Sequence, residues 1–91
     1  MKQVMYSIYD KLVGFGQPFF VPLEGFPDEN AMRLIKTSLA GIPDIERNNK
    51  IEHLQLCRLG TFDSEFGKID TPDMPDTVCD CADLFIEVEH E

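Results

Sequence analysis

Apolar positions in this chain switch between period two and period three-to-four, and the switches mark out its elements. Residues 2–10 (KQVMYSIYD) alternate, with Val4, Tyr6 and Ile8 on one face and Met5, Ser7 and Tyr9 on the other. β-Branched and aromatic residues at period two predict a strand. Lys11–Gly16 holds two glycines and reads as a turn. Residues 17–23 are apolar, but Pro18 and Pro22 cannot donate to a ladder, which predicts an extended edge segment.

The period then changes. Ala31, Leu34, Ile35, Ser38 and Leu39 fall on one helical stripe, with Arg33 and Lys36 off it. Asp28 is the expected N-cap after Pro27, Gly41 the expected C′ residue, and Pro43 a stop signal. Residues 43–50 are polar and read as a loop. Residues 51–59 alternate at Leu54 and Leu56, a second strand. Gly60–Gly67 is expected to be a hairpin turn, with residues 63–65 at its tip flanked by Phe62 and Phe66, and a return strand from residue 68. Residues 71–81 carry two prolines and several aspartates and read as a linker. Residues 82–88 alternate again, as a final strand or a docking peptide. The pattern predicts one α+β domain, a mostly antiparallel sheet of four to five strands with one helix packed on it. Residues 1–70 form its body and 82–91 an acidic C-terminal segment. No sequence repeat is apparent.

Composition adds bounds. Ninety-one residues, 43% hydrophobic with seven Phe, two Tyr and no Trp, allow a small core and a thin stability margin. Self-association through an edge such as residues 17–23 would supplement it. There is no run of 18 apolar residues, so no membrane span is expected. Met1 is expected to be a native start with no signal peptide. Three cysteines, Cys57, Cys79 and Cys81, are an odd count that favours reduced thiols in a cytosol.

Charge changes the picture most. In residues 1–60 seven Lys/Arg balance seven Asp/Glu, whereas residues 61–91 carry Lys68 against ten acids. The whole net charge of −9 therefore lies in the last third. An acidic protein argues against nucleic acid, but the first 60 residues alone do not.

Catalytic and metal chemistry find little footing. His53, Cys57, Cys79, Cys81 and His90 lack zinc-knuckle spacing. Counted from Asp63, an EF-hand loop would need Gly at residue 68 and Glu at residue 74, where Lys and Met stand. No motif sets a Ser or Cys beside His53, and Gly14-Phe15-Gly16 is too short to cradle a phosphate. No enzyme activity, metal or cofactor is expected. Single-stranded DNA is the chemistry best matched by the body. Such binders combine cations with aromatic faces for stacking. Tyr9 and Phe15 are the aromatics expected to be exposed, Lys2, Lys11 and Arg58 are nearby cations, and Arg47 and Lys50 bracket a loop suited to phosphates. In the acidic end, Leu84, Phe85 and Ile86 would anchor a protein partner, unless residues 82–88 are an ordinary strand.

Three patterns give this chain a resemblance to a known family. They are Tyr6-Ser7-Ile8-Tyr9-Asp10 followed by Gly and Pro-Phe-Phe, Asn30-Ala31-Met32-Arg33 opening the helix, and Leu59-Gly60-x-Phe62-Asp63 followed by Phe66-Gly67. Their order resembles the small nonstructural protein of gokushoviruses, Microviridae with single-stranded DNA genomes that infect bacteria. The resemblance covers residues 4–70. It implies a nonstructural DNA-binding role in replication or packaging in the host cytoplasm, with Tyr9, Lys11, Arg33 and Arg58 as contacts. The alternative is an acidic interaction module or homo-oligomeric regulator that acts on a phage or host replication or capsid protein without touching DNA.

Overall fold

The computed structural model describes residues 1–42 and 51–85. It is an α+β fold with one α-helix and a curled antiparallel sheet. Two long strands form the spine, β1 (Lys2–Asp10) and β4 (Leu54–Asp63), paired along their whole length. The free edge of β1 is covered by two short strands, β2 (Gly14–Phe15) and β3 (Phe19–Pro22). The free edge of β4 is covered likewise by β5 (Lys68–Asp70) and β6 (Asp76–Asp80). Helix α1 (Pro27–Ala40) follows β3, and 3-10 turns occupy Ile51–His53 and Cys81–Phe85.

The two halves of the sheet share a plan that the sequence hides. Each long strand ends in an aromatic-Asp-x-x-x-Gly turn, Tyr9-Asp10 to Gly14 and Phe62-Asp63 to Gly67. Asp10 Oδ1 accepts the Leu12 N–H at 2.9 Å and Asp63 Oδ1 accepts the Glu65 N–H at 3.0 Å, the same Asx turn twice. The next amide reaches the residue before the opposite strand in both cases. Lys11 N–H donates to the His53 carbonyl at 2.9 Å, and Ser64 N–H to the Met1 carbonyl at 3.0 Å. Both glycines have positive φ, which a two-to-four-residue reversal needs. Each return strand is then broken at a proline-containing stretch and resumes further along its partner. The pairing register sets the two turns at opposite ends of the β1–β4 ladder, with the Tyr6–Arg58 pair midway between them.

The core lies between the sheet and α1. Val4, Tyr6, Val21 and Leu56 pack against Ala31, with Ile8, Phe19, Met32, Ile35, Val78 and Cys79 around them. The helix therefore turns a slightly different stripe inward than periodicity predicts. Met32 packs and Leu34 and Ser38 are exposed, because Ala31 sits closest to the sheet and sets the rotation.

Other boundaries shift for identifiable reasons. Phe26, not Asp28, is the N-cap, with Pro27 in the first turn and no capping side chain. Asp28 is drawn inward by Tyr6 and Arg58 instead. Gly41 keeps helical φ of −77° rather than the left-handed C′ geometry. The second strand starts at Leu54, after a 3-10 turn, and runs to Asp63, so the hairpin turn shrinks to residues 64–67. Residues 71–80, expected as a linker, include β6, because the free edge of β4 between Gln55 and Arg58 needs backbone partners. Residues 81–85 form a 3-10 turn rather than a strand, and residues 86–88 lie outside the described residues.

Gly60 marks a register shift between β1 and β4. Its φ is +156°, and a Cβ there would meet the Asp70 carbonyl oxygen of β5. The obstacle is backbone, so it cannot swing aside. Gly60→Ala is expected to cost about 3 kcal/mol, combining backbone strain with the displacement of β5. A urea titration checks this, and an unchanged midpoint would contradict it.

Candidate nucleic-acid interface

Alternation along the strands sorts side chains between two faces. Tyr6, Leu56 and Arg58 point to the helix. Gln3, Met5, Ser7 and Tyr9 of β1 point the other way, with Phe15, Phe20, Phe62 and Thr77 beside them by register. No helix covers this second face among the described residues. Ser7 is nonetheless fully buried, and its hydroxyl donates to the Gly16 carbonyl at 2.8 Å.

Aromatic rings stand at both ends of this open face. Tyr9 and Phe15 meet at 4.7 Å between centroids, and Phe20 and Phe62 at 5.8 Å edge to face. Phe15 and Phe20 remain 50% and 44% exposed. Such rings are too exposed to be core, and they present π surface to solvent. Beside the first pair is an open depression of about 290 Å³ bordered by Gln55, Met74 and Thr77. It matches the low end of small-ligand pockets.

The expected site residues separate on folding. Tyr9 and Phe15 come together, and Lys11 follows them in the β1–β2 turn, exposed. Arg33 is exposed on α1, where with Met32, Lys36, Asp83 and Leu84 it lines a groove of about 410 Å³ between the helix and the second 3-10 turn. Arg47, Lys50 and Ile86 lie outside the described residues. Leu84 and Phe85 are half-buried in the 3-10 turn against the body.

Arg58 is engaged within the protein. Its Nη1 donates to both Asp28 carboxylate oxygens at 3.0 and 2.9 Å, and Nη2 reaches Asp76 at 3.5 Å. The Tyr6 hydroxyl donates to the same Asp28 carboxylate at 2.6 Å. Burial, then the bond to Asp28, pushes the Tyr6 phenol well above its ordinary range. The cluster ties the start of α1 to β1, β4 and β6. Arg58 and Asp28 are both more than a third exposed, so water screens the pair and its share of stability is about 1 kcal/mol. Arg58 therefore serves the fold, and sequence could not reveal it because its partner is 30 residues away.

The thiols are held protonated. Burial pushes Cys57 up, partly offset by a hydrogen bond with Thr77. Burial, then nearby acids, raises Cys79. Burial pushes Cys81 up to about 12. A protonated thiol is a weak nucleophile and a poor ligand at neutral pH. Among the described residues no three His, Cys, Asp or Glu side chains converge as metal ligands, and no helix is long and apolar enough to cross a membrane.

Sequence reasoning singled out Tyr9 and Phe15 as exposed aromatics but not Phe20 and Phe62, which it assigned to an apolar edge and a hairpin flank. The signal was present in part, since the same aromatic-Asp-x-x-x-Gly turn places Tyr9 and Phe62 alike.

No curated protein and no solved structure matches the chain. The family described as Phage ORF5 protein matches residues 3–84, which includes both hairpins, the helix and nearly all of the second 3-10 turn. With that span covered, the chain belongs to the Phage ORF5 protein family.

Proposed function

We propose that this phage protein binds single-stranded DNA, without sequence preference, on the open face of its sheet. The observation that carries the reading is the two aromatic pairs left exposed on a face that no helix covers among the described residues. Bases stack on such rings whatever their identity, at about 1–3 kcal/mol per base. Lys11 beside Tyr9 is an exposed cation that would meet phosphates. The role is binding rather than catalysis, during replication or packaging of a gokushovirus-like genome in the host cytoplasm. The net charge of −9 repels the phosphate backbone and keeps binding weak.

A titration of a labelled oligothymidylate by fluorescence anisotropy tests this. Binding is expected at ~50 mM salt and should fade by ~200 mM. Tyr9→Ala should weaken it by about 1–3 kcal/mol, whereas Tyr9→Phe should not. Absence of binding at ~50 mM salt overturns the reading.

One observation favours a second reading. The open face is mostly apolar, with Phe20, Ile69 and Met74 exposed and Arg58 internally paired. A second copy of the chain, or a phage or host protein, would cover that surface without any DNA. Light scattering that shows a dimer unaffected by oligonucleotide would favour it.

A further inference from the structure

From the shared plan of the two hairpins, we infer that the open face is a two-station platform that engages one strand at two points. The inference rests on the single-stranded DNA reading and specifies how the ligand lies. The two hairpins place equivalent residues, Tyr9 and Phe62, at opposite ends of the face. Each acquires a second ring from a neighbouring strand, Phe15 from β2 and Phe20 from β3. The floor between the stations carries Met5, Ser7 and Cys57, all buried, and Gly60, which has no side chain. That middle strip is buried and offers no ring, so bases stack at the ends and the backbone bridges between them.

The spacing sets the length of strand required. Phe62 pairs with Gln3, six residues of β1 from Tyr9, which is about 20 Å at about 3.3 Å per residue. A strand spanning that distance needs about four to five nucleotides, at the lower end of the range for single-strand sites. Two or three nucleotides can occupy one station only. Joining the stations makes the second contact intramolecular, so affinity should rise sharply once the strand reaches both.

The experiment is a length series of oligothymidylates, from two to twelve nucleotides, at ~50 mM salt. Affinity should rise at least about tenfold between three and six nucleotides and change little after that apart from the growing number of registers. Phe15→Ser and Phe20→Ser remove the more exposed ring of each station, which the fold tolerates best. Either variant should abolish the step, so that its affinity for six nucleotides falls to that of the unaltered protein for three. Circular dichroism confirms that both variants are folded. A smooth rise with length, or a step sensitive to only one of the two variants, overturns the two-station arrangement and leaves DNA binding standing. No binding at any length removes both.

Discussion

Tyr6→Ala is expected to bring this protein close to unfolding. Tyr6 has no exposed surface, stacks on Phe19 at 5.7 Å, and hydrogen-bonds Asp28. It also stands at the centre of the β1–β4 pairing, opposite Arg58. Truncation removes a buried ring, opens a cavity between sheet and helix, and takes one partner from Asp28. Large aromatic-to-alanine changes in a core cost about 3–5 kcal/mol. Domains of this size hold about 5–15 kcal/mol in all, and the corresponding fall in Tm is about 15–30 °C. Tyr6→Phe separates the terms. It keeps the ring and loses only the hydroxyl, so about 1 kcal/mol is expected. Thermal unfolding of both variants checks this. If the two proved equally destabilising, the hydrogen bond to Asp28 rather than packing would dominate, and the account of the core would fail.

Alkaline pH should destabilise the fold well before ordinary base denaturation. Cys81 has its folded pKa at about 12, and Cys57, Cys79 and Tyr6 are raised as well. Above about pH 9 the unfolded chain releases thiol protons that the folded chain retains. The folded state then binds more protons than the unfolded state, and stability falls as pH rises. It is fully present below the ordinary thiol range. For Cys81 alone the loss is about 2 kcal/mol by pH 10.5 and about 4 kcal/mol by pH 12, at about 1.4 kcal/mol per unit. The other thiols add to it, and Tyr6 contributes above about pH 10. Urea midpoints should be flat from pH 7 to 8.5 and drop steeply by 10.5. Cys81→Ala should make the drop shallower. A midpoint unchanged at pH 10.5 would show that the thiols are not buried as described.

Fold class was legible in the sequence because binary patterning decides it. The alternation of Val4, Tyr6 and Ile8 and the stripe through Ala31 and Ile35 specify strand and helix locally. What failed to read out depends on partners distant in the chain. Asp28 has the chemistry of an N-cap, but Arg58 and Tyr6 compete for its carboxylate and win, since a charge-assisted pair of bonds outweighs one cap. Residues 76–80, rich in Asp and bounded by Pro75, have no strand signature of their own. They become β6 because β4 offers an unpaired edge. Residues 82–88 alternate like a strand, but with the edge of β4 already filled residues 82–85 belong to a 3-10 turn against the body.

The candidate interface divides in the same way. Tyr9 and Phe15 were visible because one alternates away from the core face and the other sits in a turn. Phe20 and Phe62 were not, since their pairing at 5.8 Å depends on β3 and β4 lying on opposite edges of β1. The charged residues changed meaning most. As a sequence, Arg58 is one of several cations beside aromatics; in the fold it is an internal tie among three strands and the helix.

By itself, then, the amino-acid sequence determined the α+β class, the positions of the two long strands and the helix, the neutral body, and the acidic last third. Each is a local property, written in the period of apolar residues or in a count of charges. Only the tertiary structure decided that the sheet is built from two like-planned hairpins and that one of its faces is left open with rings at both ends. It also decided that Arg58 belongs to the core side. These follow from long-range strand register, which chain spacing does not encode and which is fixed only when both long strands bury their inward faces against the same helix.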